Sequence, residues 1–413
     1  MEEVVNRKVT YRLYPSTSQQ KKLYDLFIFH QTLYNAALEH RIGAYKKKKV
    51  HINYYDQCKE LTQLREECPE YARINAQSQQ MTLKRLDRAY QSFFRRVKKG
   101  EKAGFPRFKS RDRFKGWGYS THGDGWRLSL PETGMNGTLR ISGVGHLSVR
   151  GRMRKEDGSS KRVIGMIKTM EILHERGQWF ASVTFRRPVP KRKKGEEVLG
   201  IDWGTQKFLT IVNSKQESEV IENPRLLNQA AEQLKQAQRS LSRKKRGSCN
   251  RKRAKARLSK MHQKLMNQRH NHLHQTSAAI VKKAKHIATE KLQTKNMTKK
   301  PQAKKDEKGH YLPNRARAKA GLNRSILDSS PGKFFSQLRY KAAEAGIQWS
   351  EISTRKVKPS QTCSGCGEQH KKELSQRIHD CSTCGLRLDR DINAARVMIH
   401  VALTGQPYQA LSQ

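Results

Sequence analysis

A stretch late in the sequence, "CSTCGLRLDRDINAARV" (Cys381–Val397), places two kinds of metal-binding chemistry side by side. A Cys-x-x-Cys pair is followed within seven residues by Asp389 and Asp391. An apolar segment with helical spacing comes next, and an aspartate at the start of a helix is also an ordinary N-cap. The stretch therefore raises the question of why a cysteine knuckle leads directly into two carboxylates.

The cysteines indicate a zinc site. Cys363 and Cys366 form a first Cys-x-x-Cys pair, and 14 residues separate it from the second pair, Cys381 and Cys384. Four thiolates suit tetrahedral Zn²⁺, and a full set of four leaves no open position, so the metal is expected to be structural. A redox pair or unpaired thiols are the alternatives. We expect His370 and His379 to be surface residues rather than further ligands. The remaining cysteines, Cys58, Cys68 and Cys249, give no disulfide framework and indicate a reducing, cytosolic protein.

Three carboxylates form a second candidate site. Asp202 lies in the apolar segment "LGIDWG", Glu290 ends the apolar segment "HIATEKL", and Asp391 begins the final helix. Taken singly, they also fit a turn residue, an exposed glutamate and an N-cap. Brought together, they would repel one another unless divalent cations neutralise them, as two Mg²⁺ do in phosphodiester hydrolysis. The chain is therefore a nuclease candidate, and the closing knuckle is predicted to position Asp391.

The charge indicates a nucleic-acid partner. The 413 residues contain 85 Lys and Arg against 36 Asp and Glu, which gives a net charge of +49. Aromatic residues alternate with basic ones in "GFPRFKSRDRFKGWGY" (Gly104–Tyr119), a pattern typical of phosphate contact combined with stacking. The sequence has no apolar run of eighteen or more residues, so no membrane partner is expected.

Periodicity and composition divide the chain into parts. A strand over 7–14 and short strands from 104 to 190 predict a β-barrel or sandwich domain (1–16 and 101–190). Helical spacing predicts a helical insert (17–100), and "VPKRKKGEE" contains a linker (191–196). An α/β domain (197–359 and 387–413) follows, with a helical hairpin turning near Gly247 and a zinc-ribbon insert (360–386). Residues 298–321 lack periodicity and are expected to be mobile.

The motifs in their order resemble the TnpB family, the proteins of bacterial and archaeal insertion sequences that are related to type V CRISPR effectors. The resemblance covers nearly the whole chain. It rests on "YRLYPSTSQQ", "LYNAALE", "GFPRFKS", "GIDWG", "TEKLQTKNM", "KPSQTCSGCG" and "DRDINAARV". It implies a multidomain α+β and α/β fold, in which the β-barrel is wedge-like, the helical insert is a recognition domain, and the C-terminal domain is a RuvC nuclease of the ribonuclease H fold. Asp202, Glu290 and Asp391 would then be the catalytic acids, with Asp389 supporting or capping the helix.

The resemblance also implies partners and cofactors. The partners are a transposon-derived guide RNA (omega RNA) and double-stranded target DNA beside a short transposon-adjacent motif, which Tyr54 and Gln80 would contact. The cofactors are two catalytic Mg²⁺, with Mn²⁺ able to substitute, and one structural Zn²⁺. A monomer without a required protein partner, in the cytoplasm at the nucleoid, is expected. Trp203 and Lys291 depart from the residues common after the first and second acids.

Three other functions stay open from the sequence. A guided DNA-binding repressor would have the same architecture without cleavage, but relatives of that kind lose acids of the trio. A transposase would join DNA ends. A nonspecific RNA-binding zinc-ribbon protein would need only the positive charge and not the three acids.

Overall fold

The computed structural model describes residues 4–131, 136–150, 165–188, 195–373 and 376–406. The chain divides into two compact units, Met1–Val189 and Pro190–Gln413. Residues 191–194 of the predicted linker lie outside the described residues. None of the described helices has the length and apolar character that crossing a bilayer requires.

The first unit contains a seven-stranded sheet in which every neighbouring pair is antiparallel, in the order β2-β6-β7-β1-β5-β4-β3. The N-terminal strand β1, which includes the predicted strand 7–14, joins this sheet and lies in its middle, between β7 and β5. The strands are β1 (Val4–Tyr14), β2 (Gly116–Tyr119), β3 (Trp126–Ser129), β4 (Asn136–Ile141), β5 (Gly145–Arg150), β6 (Met166–Glu175) and β7 (Gln178–Pro188).

This sheet is curled. Its two edge strands, β2 and β3, are consecutive in the chain, and Tyr119 and Trp126 are joined by a segment that can span at most about 25 Å. The edges of a flat seven-stranded sheet would be about 29 Å apart. Within the described residues β2 and β3 do not pair with each other, so the predicted barrel is an incompletely closed one.

Four helices lie between β1 and β2 in the chain. A capping box of Ser16 and Gln19 starts the first of them, and its buried face includes Leu23, Phe27 and Leu38 at helical spacing. The second and third were not predicted, because their short apolar pattern is interrupted by charged residues. The helices are α1 (Thr17–Lys48), α2 (Tyr54–Glu67), α3 (Pro69–Ala72) and α4 (Ala76–Lys98).

The second unit contains a five-stranded sheet in the order β10-β9-β8-β11-β14. The first three strands form an antiparallel meander, whereas β11 lies parallel to both β8 and β14. The third strand of the meander, β10, was not predicted because its side chains are mostly exposed. These strands are β8 (Glu197–Trp203), β9 (Lys207–Asn213), β10 (Ser218–Glu222), β11 (Ala284–Glu290) and β14 (Gln348–Ile352).

Helices cover both faces of this sheet. Leu199, Ile201 and Trp203 point into a core with α6, α8 and α9, whereas Val198 points into a second core with α11. The strand β8 is therefore apolar on both faces, which is typical of a central strand. The helices are α5 (Leu226–Ser242), α6 (Cys249–Lys283), α7 (Thr294–Met297), α8 (Ala316–Ser329), α9 (Pro331–Glu344), α10 (Thr354–Val357) and α11 (Arg390–Thr404).

The polar segment 298–321 contains secondary structure although its sequence has no periodicity. It contains a small hairpin, β12 (Lys304–Lys305) with β13 (Tyr311–Leu312), and the start of α8. Backbone and side-chain hydrogen bonds of Asp306 to His310 close the hairpin. Local hydrogen bonds replace apolar periodicity here, and the expected mobility of the segment stays a prediction. A second hairpin, β15 (Ile378–Asp380) with β16 (Arg387–Asp389), belongs to the cysteine-rich segment.

The helix α11 lies directly on the backbone of β8. A Cβ atom placed on Gly200 would lie 2.2 Å from the carbonyl oxygen of Ala395 and 2.8 Å from Cγ1 of Ile399. Contacts this short do not occur between real atoms, so any side chain at position 200 must push the helix off the sheet.

We predict that Gly200→Ala lowers the free energy of unfolding of the second unit by about 1–3 kcal/mol, the usual cost of overpacking a core. Thermal unfolding measures it. Gly321→Ala is the matched control, since Gly321 lies inside α8 with no atom within 4 Å of its Cβ position, and this change is expected to be neutral or stabilising. Equal melting temperatures of the two variants would contradict the prediction.

Candidate active site and metal centre

Two of the three predicted acids stand at the ends of neighbouring parallel strands. Ile201 of β8 pairs in register with Thr289 of β11, so Asp202 and Glu290 are the next residues of the two strands. Both lie at the carboxyl ends of their strands, and both are partly buried. The sheet thus places at one edge two carboxylates that are far apart in the sequence.

The third acid, Asp391, lies in the first turn of α11. The preceding Asp389 is the N-cap, and its Oδ1 accepts hydrogen bonds from the backbone N–H groups of Asp391 (2.8 Å) and Ile392 (3.3 Å). Capping is therefore the role of Asp389, as the resemblance implied, and Asp391 is left free of it. The contact of α11 with Gly200 lies one helical turn after Asp391 and two residues before Asp202.

An ion pair ties the start of α11 to the β8–β9 hairpin. The Nζ of Lys207, the first residue of β9, lies 2.7 Å from Oδ2 of Asp389. Partial burial raises the pKa of Asp389, but the hydrogen bonds from Lys207 and from the backbone of Asp391 outweigh it and lower the pKa below its usual value. The N-cap therefore stays charged and holds the first turn of α11 in place.

The three acids interact electrostatically. Burial, followed by the negative charges of Glu290 and Asp391, raises the pKa of Asp202 well above its usual value, and Arg390 offsets this in part. Burial and the charge of Asp391 raise the pKa of Glu290 to about 7. Mutual repulsion of this kind is the signature of a site that binds a cation or shares a proton.

The four predicted cysteines meet in one cluster. All four Sγ atoms lie within 4.8 Å of one another, and the Cys363–Cys384 and Cys366–Cys381 Sγ pairs are both 3.6 Å apart. Ligands about 2.3 Å from a tetrahedral Zn²⁺ lie about 3.8 Å from each other, so the cluster fits zinc. Among the described residues, the four cysteines are the group of three or more His, Cys, Asp or Glu side chains that lie close enough together to hold a metal ion.

The two Cys-x-x-Cys turns are copies of each other. In each, the first cysteine donates its N–H to the carbonyl five residues on, and the glycine four residues on donates back to that cysteine. These bonds are Cys363 to Glu368 and Gly367 to Cys363, then Cys381 to Leu386 and Gly385 to Cys381. The glycines have φ values of 82° and 70°, which only glycine adopts readily. The spacing thus encodes two equivalent knuckles.

The expectation that His379 lies at the surface was wrong. His379 is fully buried, with an exposed fraction of 0%. His370 is half-buried, and its Nε2 lies 3.2 Å from Sγ of Cys381. Hydrogen bonds from the Cys384 backbone and from His370 lower the pKa of Cys381 to about 6, although burial alone would raise it. His370 therefore supports a thiolate at Cys381.

Sequence reasoning missed Asn393, a buried residue of α11. Its side-chain Oδ1 accepts a hydrogen bond from the backbone N–H of Ser364 (2.9 Å), and its Nδ2 donates to the carbonyl of Thr362 (2.7 Å). The first knuckle is therefore fastened to the helix that carries Asp391, as the second knuckle is through β16. The sequence did contain a signal for Asn393, because it is a polar residue at a position where an apolar helix faces the core.

The two residues predicted to contact a DNA motif lie in the first unit. Tyr54 is the first residue of α2 and is half-buried, whereas Gln80 is exposed on α4. Lys84, one helical turn after Gln80, places its Nζ 5.9 Å from the centre of the Tyr54 ring. The two residues thus belong to one region of the surface.

The pKa of Glu290 predicts how stability depends on pH. Without a bound cation, the folded chain keeps a proton on Glu290 up to about pH 7, whereas the unfolded chain loses it near pH 4.5. Stability should therefore fall as pH rises through this window. We predict that Glu290→Gln raises the melting temperature at pH 8 without added Mg²⁺ by about 3–10 °C, and that the gain disappears near pH 4.

The exposed Glu222 of β10 provides the control, because Glu222→Gln removes one charge from the same sheet. Mg²⁺ should raise the melting temperature of the parent and so narrow the difference in melting temperature between the parent and Glu290→Gln. A Glu290→Gln variant less stable than the parent at pH 8 would show that repulsion among the carboxylates does not destabilise the folded chain.

Comparison with known proteins places these features in a family. Three family models match in order along the chain: a "Helix-turn-helix domain" of the IS605 OrfB proteins at 1–49, the IS605 OrfB "Probable transposase" model at 180–300, and a "Cas12f1-like, TNB domain" at 332–398. The second model includes Asp202 and Glu290, and the third includes the four cysteines and Asp391. Residues 4–48 form one strand and one helix here, not a helix-turn-helix.

Two curated relatives match much of the chain. A Streptomyces pristinaespiralis protein is 27% identical over 98% of this chain and 91% of its own length. InsQ of Escherichia coli K12 is 29% identical over 78% of this chain and 73% of its own length. Both are provisionally named as RNA-guided DNA endonucleases, and viral TnpB-like proteins match at 24% identity over 59% of this chain.

Solved structures share the fold at low sequence identity. A Cas12f1–sgRNA–target DNA complex superimposes with a TM-score of 0.60 and 13% identity over 96% of this chain and 99% of that chain. The mini-RNA-guided endonuclease Cas_phi3 gives a TM-score of 0.52 and 10% identity over 98% and 93%. The ordered family matches, the relatives and the fold agree with the motifs: over nearly its whole length the chain is similar to proteins of the TnpB family.

Proposed function

We propose that this chain is an RNA-guided DNA endonuclease, which binds a transposon-derived guide RNA and hydrolyses double-stranded DNA complementary to that guide, beside a short transposon-adjacent motif. The observation that carries the proposal is the convergence of Asp202, Glu290 and Asp391 at one edge of the sheet. They come from three distant segments of a chain whose net charge is +49. A protein that only binds nucleic acid gains nothing from concentrating negative charge in this way.

The second unit is assigned as a RuvC nuclease domain of the ribonuclease H fold, over 197–359 and 387–413, with a zinc ribbon inserted at 360–386. The mixed sheet, with acids at the ends of β8 and β11, supports this assignment. The first unit is assigned as a wedge-like barrel, over 1–16 and 101–190, with a recognition insert at 17–100. Tyr54 and Gln80 of that insert are proposed to contact the target-adjacent motif.

The donor sets fit the two proposed metals. Asp202, Glu290 and Asp391 offer hard carboxylate oxygens, which suit two Mg²⁺ or Mn²⁺, and Cys363, Cys366, Cys381 and Cys384 offer the thiolates that suit one Zn²⁺. The raised pKa values of Asp202 and Glu290 indicate that the carboxylates lack the positive charge their arrangement needs. When bound, the divalent cations would supply an activated water and neutralise charge at the scissile phosphate.

The protein's own residues keep the reaction centre in order. Asp389 and Lys207 hold the first turn of α11, and with it Asp391, against the end of β8. Arg390 places its Nε 3.5 Å from Oδ1 of Asp391 and so restrains the carboxylate of that residue. Hydrolysis breaks one phosphorus–oxygen bond of the DNA backbone, and the oxygen of the attacking water becomes part of the new terminal phosphate.

A cleavage-deficient repressor and a transposase are not favoured. All three acids of the trio are present and interact, as a nuclease requires and a repressor does not. The monomeric state, the absence of a protein partner and the nucleoid location stay predictions.

We predict that Asp202→Ala, Glu290→Ala and Asp391→Ala each abolish DNA cleavage and leave guided DNA binding within about threefold, because the acids bind metal and not DNA. Gel assays of cleavage and binding on the same preparations test this. Glu222→Ala is the control and should cut at the parent rate. An acid whose removal leaves cleavage near the parent rate does not belong to the site.

The zinc site gives a separate prediction. Metal analysis should find about one zinc per chain, and Cys363→Ser or Cys381→Ser should lower both zinc content and cleavage, because the knuckles are fastened to the helix carrying Asp391. Cys249→Ser is the control, since this exposed cysteine lies outside the cluster.

Brief EDTA treatment followed by Mg²⁺ should restore cleavage without added zinc, because four thiolates hold zinc more firmly than three carboxylates hold Mg²⁺. A fully active, zinc-free protein would contradict the positioning of Asp391 by the knuckles.

A further inference from the structure

An aromatic cluster stands at the C-terminal end of α4 in the first unit, away from the acids and cysteines in the sequence. It consists of Tyr90, Phe93, Phe94 and Phe105. The ring centres of Phe93 and Phe105 are 5.3 Å apart, those of Tyr90 and Phe105 are 5.6 Å apart, and Phe94 stacks on Tyr90 at 6.2 Å. The rings are thus held by one another in a fixed arrangement.

The outer members of the cluster are open to solvent. Phe94 is 50% exposed and Phe105 is 47% exposed, and the neighbouring Val97 is 52% exposed. Single exposed apolar residues are common, but these two exposed phenylalanines both contact Tyr90, which joins them into one apolar patch, and such a patch marks an interaction site.

The base of the cluster is rigid. Tyr90 is buried, and the guanidinium of Arg41 lies 5.2 Å from the centre of its ring. Arg41 in turn pairs with Asp87 at 3.1 Å and donates to Gln57 at 2.8 Å. The exposed rings therefore rest on a buried polar network, and a ligand that stacks on them need not order them first.

Positive charge surrounds the patch. Between residues 95 and 113 the chain has nine Lys and Arg against two acids, Glu101 and Asp112. A second copy of this chain would bring the same cations face to face, which argues against self-association through this surface. Exposed aromatic faces among cations fit the chemistry of nucleic acid, in which bases stack and phosphates pair.

We infer that the aromatic cluster is a stacking platform for unpaired bases of the guide RNA. This inference rests on the proposed function, and it names a contact that the function requires but does not locate. RNA is preferred to DNA because the proposed DNA target is double-stranded, with its bases stacked in the duplex, whereas the loops and ends of an RNA leave bases unpaired. Unpaired RNA bases are also the common targets of aromatic side chains.

The first experiment measures RNA affinity with the full chain and a fluorescent oligouridine of about 20 nucleotides, whose bases stack poorly on one another. Phe94→Leu/Phe105→Leu keeps the apolar volume but removes the π faces. The variant should bind at least about fivefold more weakly at every salt concentration, with an unchanged slope of log Kd against log salt, because stacking releases no counterions. Phe94→Trp/Phe105→Trp should retain parent affinity.

Matched controls separate stacking from charge and from folding. Phe108→Leu removes a ring that is 51% exposed in the same basic loop, and its affinity should stay within about twofold of the parent. Arg95→Gln/Arg96→Gln should reduce the salt slope instead. An unchanged melting temperature shows that each variant is folded.

The second experiment identifies the ligand. The chain purified with its own RNA is irradiated, digested and analysed for peptides that carry a nucleotide. Ribonucleotide adducts on the peptides containing Phe94 or Phe105 support the inference. Parent-like affinity of the Leu variant, an equal loss in Phe108→Leu, or adducts that appear only as deoxynucleotides after target DNA is added would each overturn it. A parent chain that binds no RNA would overturn the proposed function itself, whereas bound RNA crosslinked elsewhere would overturn only the platform.

Discussion

The contact between the backbone of β8 at Gly200 and the helix α11 is the constraint on which the candidate active site depends. Asp202 follows Gly200 by two residues, and Asp391 precedes Ala395, the residue that Gly200 meets, by one turn. Because Gly200 has no side chain, α11 lies directly against β8, and this contact sets the distance between Asp202 and Asp391, which come from opposite ends of the second unit. Lys207 then fixes the start of the helix through Asp389, so that the close contact also has a defined orientation.

The second unit contains two clusters of like-charged side chains, and each cluster keeps its members close together by a different kind of structure. The four cysteines are held by short knuckle turns and are already close enough for a metal ion. The three acids are held by long elements of a packed core, in an arrangement that raises the pKa values of Asp202 and Glu290. Asn393 joins the two clusters, because it hydrogen-bonds the first knuckle and belongs to the helix that carries Asp391. Loss of the cysteine cluster would therefore be felt at the three acids.

Much of this arrangement could be predicted from the sequence, for reasons that differ among the residues. The cysteines were found because their spacing encodes local turns, and Asp202 and Glu290 because each is a charge at the end of an apolar strand. Long amphipathic helices such as α1 were found from spacing alone. What failed depended on tertiary structure: His379 is polar and buried through contacts made within the ribbon, and β10 and the hairpin at 304–312 carry no apolar pattern. The aromatic cluster was visible only as aromatics among bases, since its geometry needs α4 and the following loop to meet.

The central position of β1 has a consequence for how the first unit forms. This strand is made before its ladder partners, which are residues 148–150 of β5 and 180–188 of β7. The sheet therefore cannot close around its middle strand until nearly the whole unit has left the ribosome, and pairings this distant in sequence form slowly. Until then β1 is an unpaired strand with both edges open, a state prone to wrong pairing. Lys8 and Arg12 lie on the face opposite the buried Val9, Tyr11 and Leu13, and this positive charge discourages association between nascent chains.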